Sequence, residues 1–287
     1  MRAIAMVLML VVACTSVSQP PTPSPTTAPA TKLTSPPPTT TGTTLPSPAC
    51  LAGDRPFGSV GRLGEGGLAD SDSGVIADLL WELHGRCERL VVEFATADGA
   101  PAFRPPTTQG ELVRGIGVVR VAFGEPVSDT AVADRLVEGR LLERAFVVRA
   151  EDGRLVLDLH LADPALARVH TSSSPAQVMI DLRPGGDPYP GGPLVGAEVV
   201  LTSPSGGRTA YPLEVAGYAR TRFGEVRAIL EGDDGRTEVS APVADRTGAW
   251  GAFRLLIETG PTGAVELSID DGGDTSPIVM TLDIAPP

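Results

Sequence analysis

The chain has 287 residues, a formal net charge of -12, 4% aromatic residues, 33 glycines and 28 prolines. That length allows two ordinary domains, or one large domain with tails. The acidic balance argues against nucleic acid or anionic lipid as a charge-recognised partner, since both require a cationic surface that displaces counterions. Few aromatics beside abundant Gly, Pro, Val, Leu and Thr predict short strands joined by tight turns, hence a mainly β protein.

Met1 to Ala13 reads MRAIAMVLMLVVA, one Arg followed by an apolar run too short for a stable membrane span, which is the pattern of a secretory signal. The run closes in VVAC, and Val11-Val12-Ala13-Cys14 resembles the lipobox of bacterial lipoproteins. The resemblance implies cleavage before Cys14, lipidation of its thiol end with palmitate among the acyl groups, and a place on the outer face of the cell membrane. Residues 14–49 are then a Pro/Thr/Ser-rich linker that cannot bury enough apolar area to offset chain entropy, so it is expected to be disordered. As polyproline II, Thr15 to Pro48 reaches on the order of 100 Å.

With Cys14 given to lipid, Cys50 and Cys87 remain, an even number in an oxidising compartment. One disulfide is the simplest reading, with loop closure contributing roughly 3–4 kcal/mol. The alternative is a reactive thiol, because His84 stands three residues before Cys87.

A first β domain is expected over 50–190. Residues 50–73 are rich in Gly, Asp and Ser and read as irregular covering loop; the glycines match no phosphate-binding loop. GVIADLLWELH fits both a helical stripe and strand alternation. ERLVVEFAT, GIGVVRVAFG, RAFVVRAEDG, RLVLDLHLAD and AQVMIDLRPG are β-rich segments bounded by turn residues. In RLVLDLHLAD the four leucines share one face, predicting a sheet with one buried side and a solvated side carrying Val156, Asp158 and His160.

HGRCERLVVEF, RGIGVVRVAFG, ERAFVVRAEDGRLVLDLHLADPALARV and PAQVMIDLRPGG follow in order the pattern of the AMIN-like domain of bacterial lipoproteins, which this region resembles over most of Leu79 to Gly186. The resemblance implies that LLWELH is a strand turning at His84-Gly85-Arg86-Cys87, and gives His84 a possible role in ligand contact beside its plainer role as a turn residue. The chain departs from the family where Cys87 replaces a frequent aromatic. The better-known AMIN domains bind cell-wall components.

GGDPYPGGP reads as a short linker, and beyond it seven candidate strands recur over 194–287: VGAEVVLTS, YPLEVAGYA, GEVRAILEG, RTEVSAP, WGAFRLLIE, GAVELSID and SPIVMTLDI. That spacing predicts an immunoglobulin-like β-sandwich without an inter-sheet disulfide, its core anchored by Tyr218, Phe223, Trp250 and Phe253. SPSGGRTAYPLEVAGYARTRFGEVRAIL, GAWGAF and the terminal alternating strand resemble the spore-germination-associated immunoglobulin-like domain, which implies an interaction module.

No GxSxG, HExxH, CxxC or P-loop motif is present, and three scattered histidines make no recognisable metal set, so no metal or cofactor is expected. Asp158 and His160, two apart on one strand, form a catalytic alternative with Ser172, Ser173 or Ser174 as nucleophile. DDGGD at 270–274 and GDDG at 232–235 read as hairpin turns, with a calcium site as the sharper alternative. The favoured reading is a non-catalytic, lipid-anchored envelope protein that recognises cell-wall polymer or an envelope protein. The runners-up are an envelope hydrolase and an auxiliary subunit of an envelope complex. Reduction of the secreted chain is expected to add one pair of hydrogens to its intact mass; a native chain that already titrates two free thiols overturns the disulfide.

Overall fold

The computed structural model describes residues 51, 56–113, 115–244, 249–273 and 276–286, which belong to one compact unit. The expected signal, Cys14, the linker and Cys50 lie outside the described residues. Among the described residues there are strands and no helix, so the mainly β reading holds.

The first half runs β1 (Gly61–Gly66), β2 (Val75–His84), β3 (Cys87–Ala95), β4 (Thr108–Val113), β5 (Val118–Phe123) and β6 (Asp129–Thr130). It continues with β7 (Asp134–Leu136), β8 (Leu142–Arg149), β9 (Leu155–Leu161), β10 (Ala165–Ser172) and β11 (Gln177–Pro184). The second half contains β12 (Leu194–Val195), β13 (Val199–Ser203), β14 (Gly207–Thr209), β15 (Leu213–Ala219) and β16 (Glu225–Gly232). It ends with β17 (Gly235–Pro242), β18 (Trp250–Ile257), β19 (Gly263–Asp270) and β20 (Ile278–Ile284). All seven strands expected in this half are present.

Three sheets result. A ten-stranded sheet of order β1-β4-β5-β9-β8-β18-β15-β13-β12, with β7 also on β8, crosses both halves. One five-stranded sheet, β10-β11-β3-β2-β6, covers it in the first half, and another, β14-β20-β19-β16-β17, belongs to the second half. The halves join where β8 and β18 pair in parallel, Val148 opposite Trp250 and Arg149 opposite Gly251.

Alternation places the cores. Leu155, Leu157, Leu159 and Leu161 of β9 meet Leu90, Val92, Val178 and Ile180 in one apolar core, while Val215, Phe253 and Leu255 meet Leu230, Leu267 and Leu282 in another. VIADLLWELH is strand β2, its Ile76 and Leu79 in the first core, and it reverses through Gly85-Arg86 so that His84 pairs with Cys87.

Several expectations need correction. Residues 50–73 are not all covering loop, since 61–66 form β1 and pair with β4. Gly64 of β1 and Gly110 of β4 serve close approach: a Cβ on Gly64 would lie 2.1 Å from the Val169 carbonyl oxygen, and one on Gly110 would strike the Val169 side chain at 2.4 Å. β1 and β4 thus press on β10 in a way that larger residues forbid. The GGDPYPGGP segment is not a bare spacer, because the Tyr189 hydroxyl donates to the Leu161 carbonyl at 2.9 Å and its ring packs on the first core. Phe223 anchors no core; it is 61% exposed in the β15–β16 loop.

Inside the first core, the Glu88 carboxylate accepts from Leu141 N at 2.8 Å, Leu142 N at 3.1 Å and Trp81 Nε1 at 3.2 Å. Glu88→Ala orphans these donors, and urea unfolding is expected to show a loss of about 2–4 kcal/mol. Glu88→Gln, which keeps an acceptor oxygen, is expected to lose less.

Candidate functional site

Residues paired across a ladder share a face. Arg120, Asp158 and Phe146 are therefore on one face with Val118, His160 and Arg144, and that face continues through Val148, Trp250, Ala252 and Tyr218. In a flat sheet β9 and β15, three spacings apart, would be separated by about 14 Å. Yet the His160 and Tyr218 rings have centroids 6.0 Å apart, and His160 Nε2 and the Tyr218 hydroxyl share a hydrogen bond. The ten-stranded sheet is creased along β8 and β18, and its two sides close on each other.

Phe146, Tyr218 and Trp250 fill the crease with Val148 and Val200. Phe146 packs edge-on against Trp250 at 5.0 Å and tilted against Tyr218 at 5.3 Å, geometries worth about 0.5–1.5 kcal/mol each beyond burial. Tyr218 and Trp250 therefore join the two halves, where the sequence placed them inside one sandwich.

Charges ring this cluster. Asp158, 0% exposed, accepts from Arg120 Nε at 2.8 Å and Arg120 Nη2 at 2.7 Å. Asp134 ties the halves together: it accepts from Arg144 Nη2 at 2.6 Å and from Trp250 Nε1 at 2.9 Å, with Arg220 Nη1 at 3.5 Å. Burial raises the Asp134 pKa, but the bonds from Trp250 and Arg144 outweigh it and hold the carboxyl below its usual range. Burial likewise pushes the Tyr218 hydroxyl well above its usual value, so it stays a neutral partner for His160. Burial lowers His160 to about 4, Asp158 opposing and Arg144 adding to the shift.

Beside the cluster the crease stays open as a groove of about 430 Å³. Arg120, Glu151, Glu214 and Arg254 line it together with Val148, Val156 and Tyr218. Arg254 Nε lies 3.4 Å from Glu151 and 3.9 Å from Glu214, long contacts between exposed side chains.

A second charged cluster occupies the outer face of the first five-stranded sheet. Asp181, fully buried, accepts from Arg89 Nε at 2.6 Å and Arg168 Nε at 2.8 Å. Arg168 and Arg183 lie over the Phe57 ring at 4.6 and 4.7 Å, and Arg168 Nη2 donates to the Leu51 carbonyl.

The residues singled out in the sequence fall as follows. Asp158 and His160 do share a face, but that face is sealed in the crease rather than solvated; the reason is the second half, invisible to the periodicity of β9 alone. Ser172 ends β10 in the opposite sheet and Ser173 and Ser174 follow it, so the apolar core separates all three from the pair. His84 is exposed at the end of β2, and its Nε2 lies 2.9 Å from the Glu82 carboxylate rather than on backbone. Cys87 is fully buried and disulfide-bonded. Asp270 binds Arg227 and caps Gly272 N, and Asp233-Asp234 form the tight turn from β16 to β17. No three acidic, His or Cys side chains among the described residues gather as a metal set.

Arg120, Arg144 and Asp134 were not singled out from sequence. The available signal for Arg120 was a single polar residue inside an apolar strand, VVRVAF, lying across from the Asp158 of LVLDLHL. No protein-family model, curated protein or solved structure matches this chain.

His160 makes the junction sensitive to acid. The unfolded chain binds a proton near pH 6.5, whereas the folded chain does so only near 4. Stability conferred by neutral His160 is therefore complete above pH 6.5 and is lost as pH falls to about 4, a loss of about 3 kcal/mol. Urea midpoints measured across this window are expected to fall steeply in the native chain and less steeply in His160→Gln.

Proposed function

We propose that this is a non-catalytic, lipid-anchored protein of the cell envelope whose β unit binds cell-wall polymer or an envelope protein. Cys14 carries the lipid, residues 15–48 hold the folded part off the membrane, and Cys50 is the partner of Cys87. The first half acts as an AMIN-like domain and the second as an immunoglobulin-like interaction module.

One observation carries the reading. The pair that offered acid–base chemistry, Asp158 and His160, is committed to Arg120 and Tyr218 inside the junction, while the concave groove beside it is open. Concave sites between packed halves are common places for ligands. The sequence features at the N-terminus and the two family resemblances supply the location and the class of ligand.

The test is sedimentation of the chain from Thr15 onward with isolated cell walls. Most of the protein is expected in the pellet, and complete recovery in the supernatant overturns the wall-binding form.

A further inference from the structure

We propose that the groove in the crease binds a ligand carrying both a carboxylate and an ammonium group, namely a short peptide, free or attached to wall polymer. This inference rests on the binding function proposed above and names the chemistry of its site.

Arg120 is the fixed element. Its Nε and Nη2 are given to a carboxylate with no exposure of its own, yet 38% of its side chain remains accessible and lines the groove. Asp158 thus holds the guanidinium plane in place, and the donors not turned toward Asp158 form a rigid fork suited to a ligand carboxylate. Orienting the cation in advance removes the entropy cost of ordering it on binding.

Glu151 and Glu214 bring the opposite sign. Their side chains are 59% and 48% exposed, and Arg254 engages both only at 3.4 and 3.9 Å. Ion pairs so long and exposed are weak, so an incoming ammonium displaces them at small cost. A purely anionic ligand meets these two carboxylates, and a purely cationic one meets Arg120 and Arg254. A ligand with both charges satisfies each wall, and Val156 gives its apolar part a surface. The groove volume, about 430 Å³, lies within the range of small-ligand sites.

Calorimetric titration of the chain from Thr15 onward with trialanine, its N-acetylated form, its C-terminal amide and a chitin tetramer tests the charge assignment. Trialanine is expected to saturate, and capping either end to weaken it about tenfold or more. Glu151→Gln and Glu214→Gln, both exposed substitutions, are expected to weaken trialanine similarly without moving the melting temperature. Arg120→Gln is expected to abolish binding, a result taken only with a native-like melt. Equal affinity for free and capped peptide, binding of the tetramer alone, or no binding of trialanine overturns the inference. Sedimentation with walls separates the two levels: if the native chain and a Glu151→Gln/Glu214→Gln double variant pellet equally, the groove inference falls and the binding function stands. If the native chain does not pellet, the wall-binding function itself falls.

Discussion

A carboxylate with no exposed surface must have its cation beside it, and Asp158 sets that condition for the middle of this molecule. Arg120 meets it from the directly opposite position on β5, with two short hydrogen bonds. Such a pair stands on the face of β9 that points away from the first core, where a lone sandwich would leave it in water. The second half supplies the cover: Tyr218 and Trp250 close over the face together with Phe146 and His160. A buried ion pair is not itself a strong source of stability, because desolvation offsets much of the attraction. Its effect here is on geometry. Losing either partner strands a charge in the crease, so β5, β9 and the second half are bound to one arrangement.

The same device recurs across the first sandwich. MIDLR on β11 places Asp181 on its outward face as LDLHL places Asp158, and Arg89 and Arg168 from the flanking strands saturate it. In both sheets an acidic residue on an inner strand is matched by arginine from a neighbouring strand, one at Asp158 and two at Asp181. The arginine-rich cationic complement of the sequence, with Lys32 as its sole lysine, suits this use, since the planar guanidinium meets a carboxylate through two parallel bonds.

Much of the strand content could be read from the sequence because apolar alternation is local. ERLVVEFAT, RLVLDLHLAD and the seven segments of the second half carry their periodicity within a few residues, and all are strands. What escaped was long-range. GRLGEG looks like loop by composition, and Gly64 and Gly66 make sense only once β10 is known to lie against them. Phe223 was assigned to a core by its hydrophobicity, while its loop, tied by Thr221 Oγ1 to the Asp271 carbonyl, holds it out in water. His160 and Asp158 were found as a pair, but their burial depends on β15 and β18, some sixty to ninety residues downstream. Arg120 drew no notice because a single arginine in an apolar strand usually marks a solvated position.

Phe57 shows where the start of the described chain is fastened. Its ring packs against two guanidiniums, and the Leu51 carbonyl is held by one of them, on the outer face of the five-stranded sheet. The groove opens from the opposite side of the same sandwich. Leu51 and Phe57 are therefore made fast to the back of the first half, like a mooring line at the stern. The groove then faces away from that fastening.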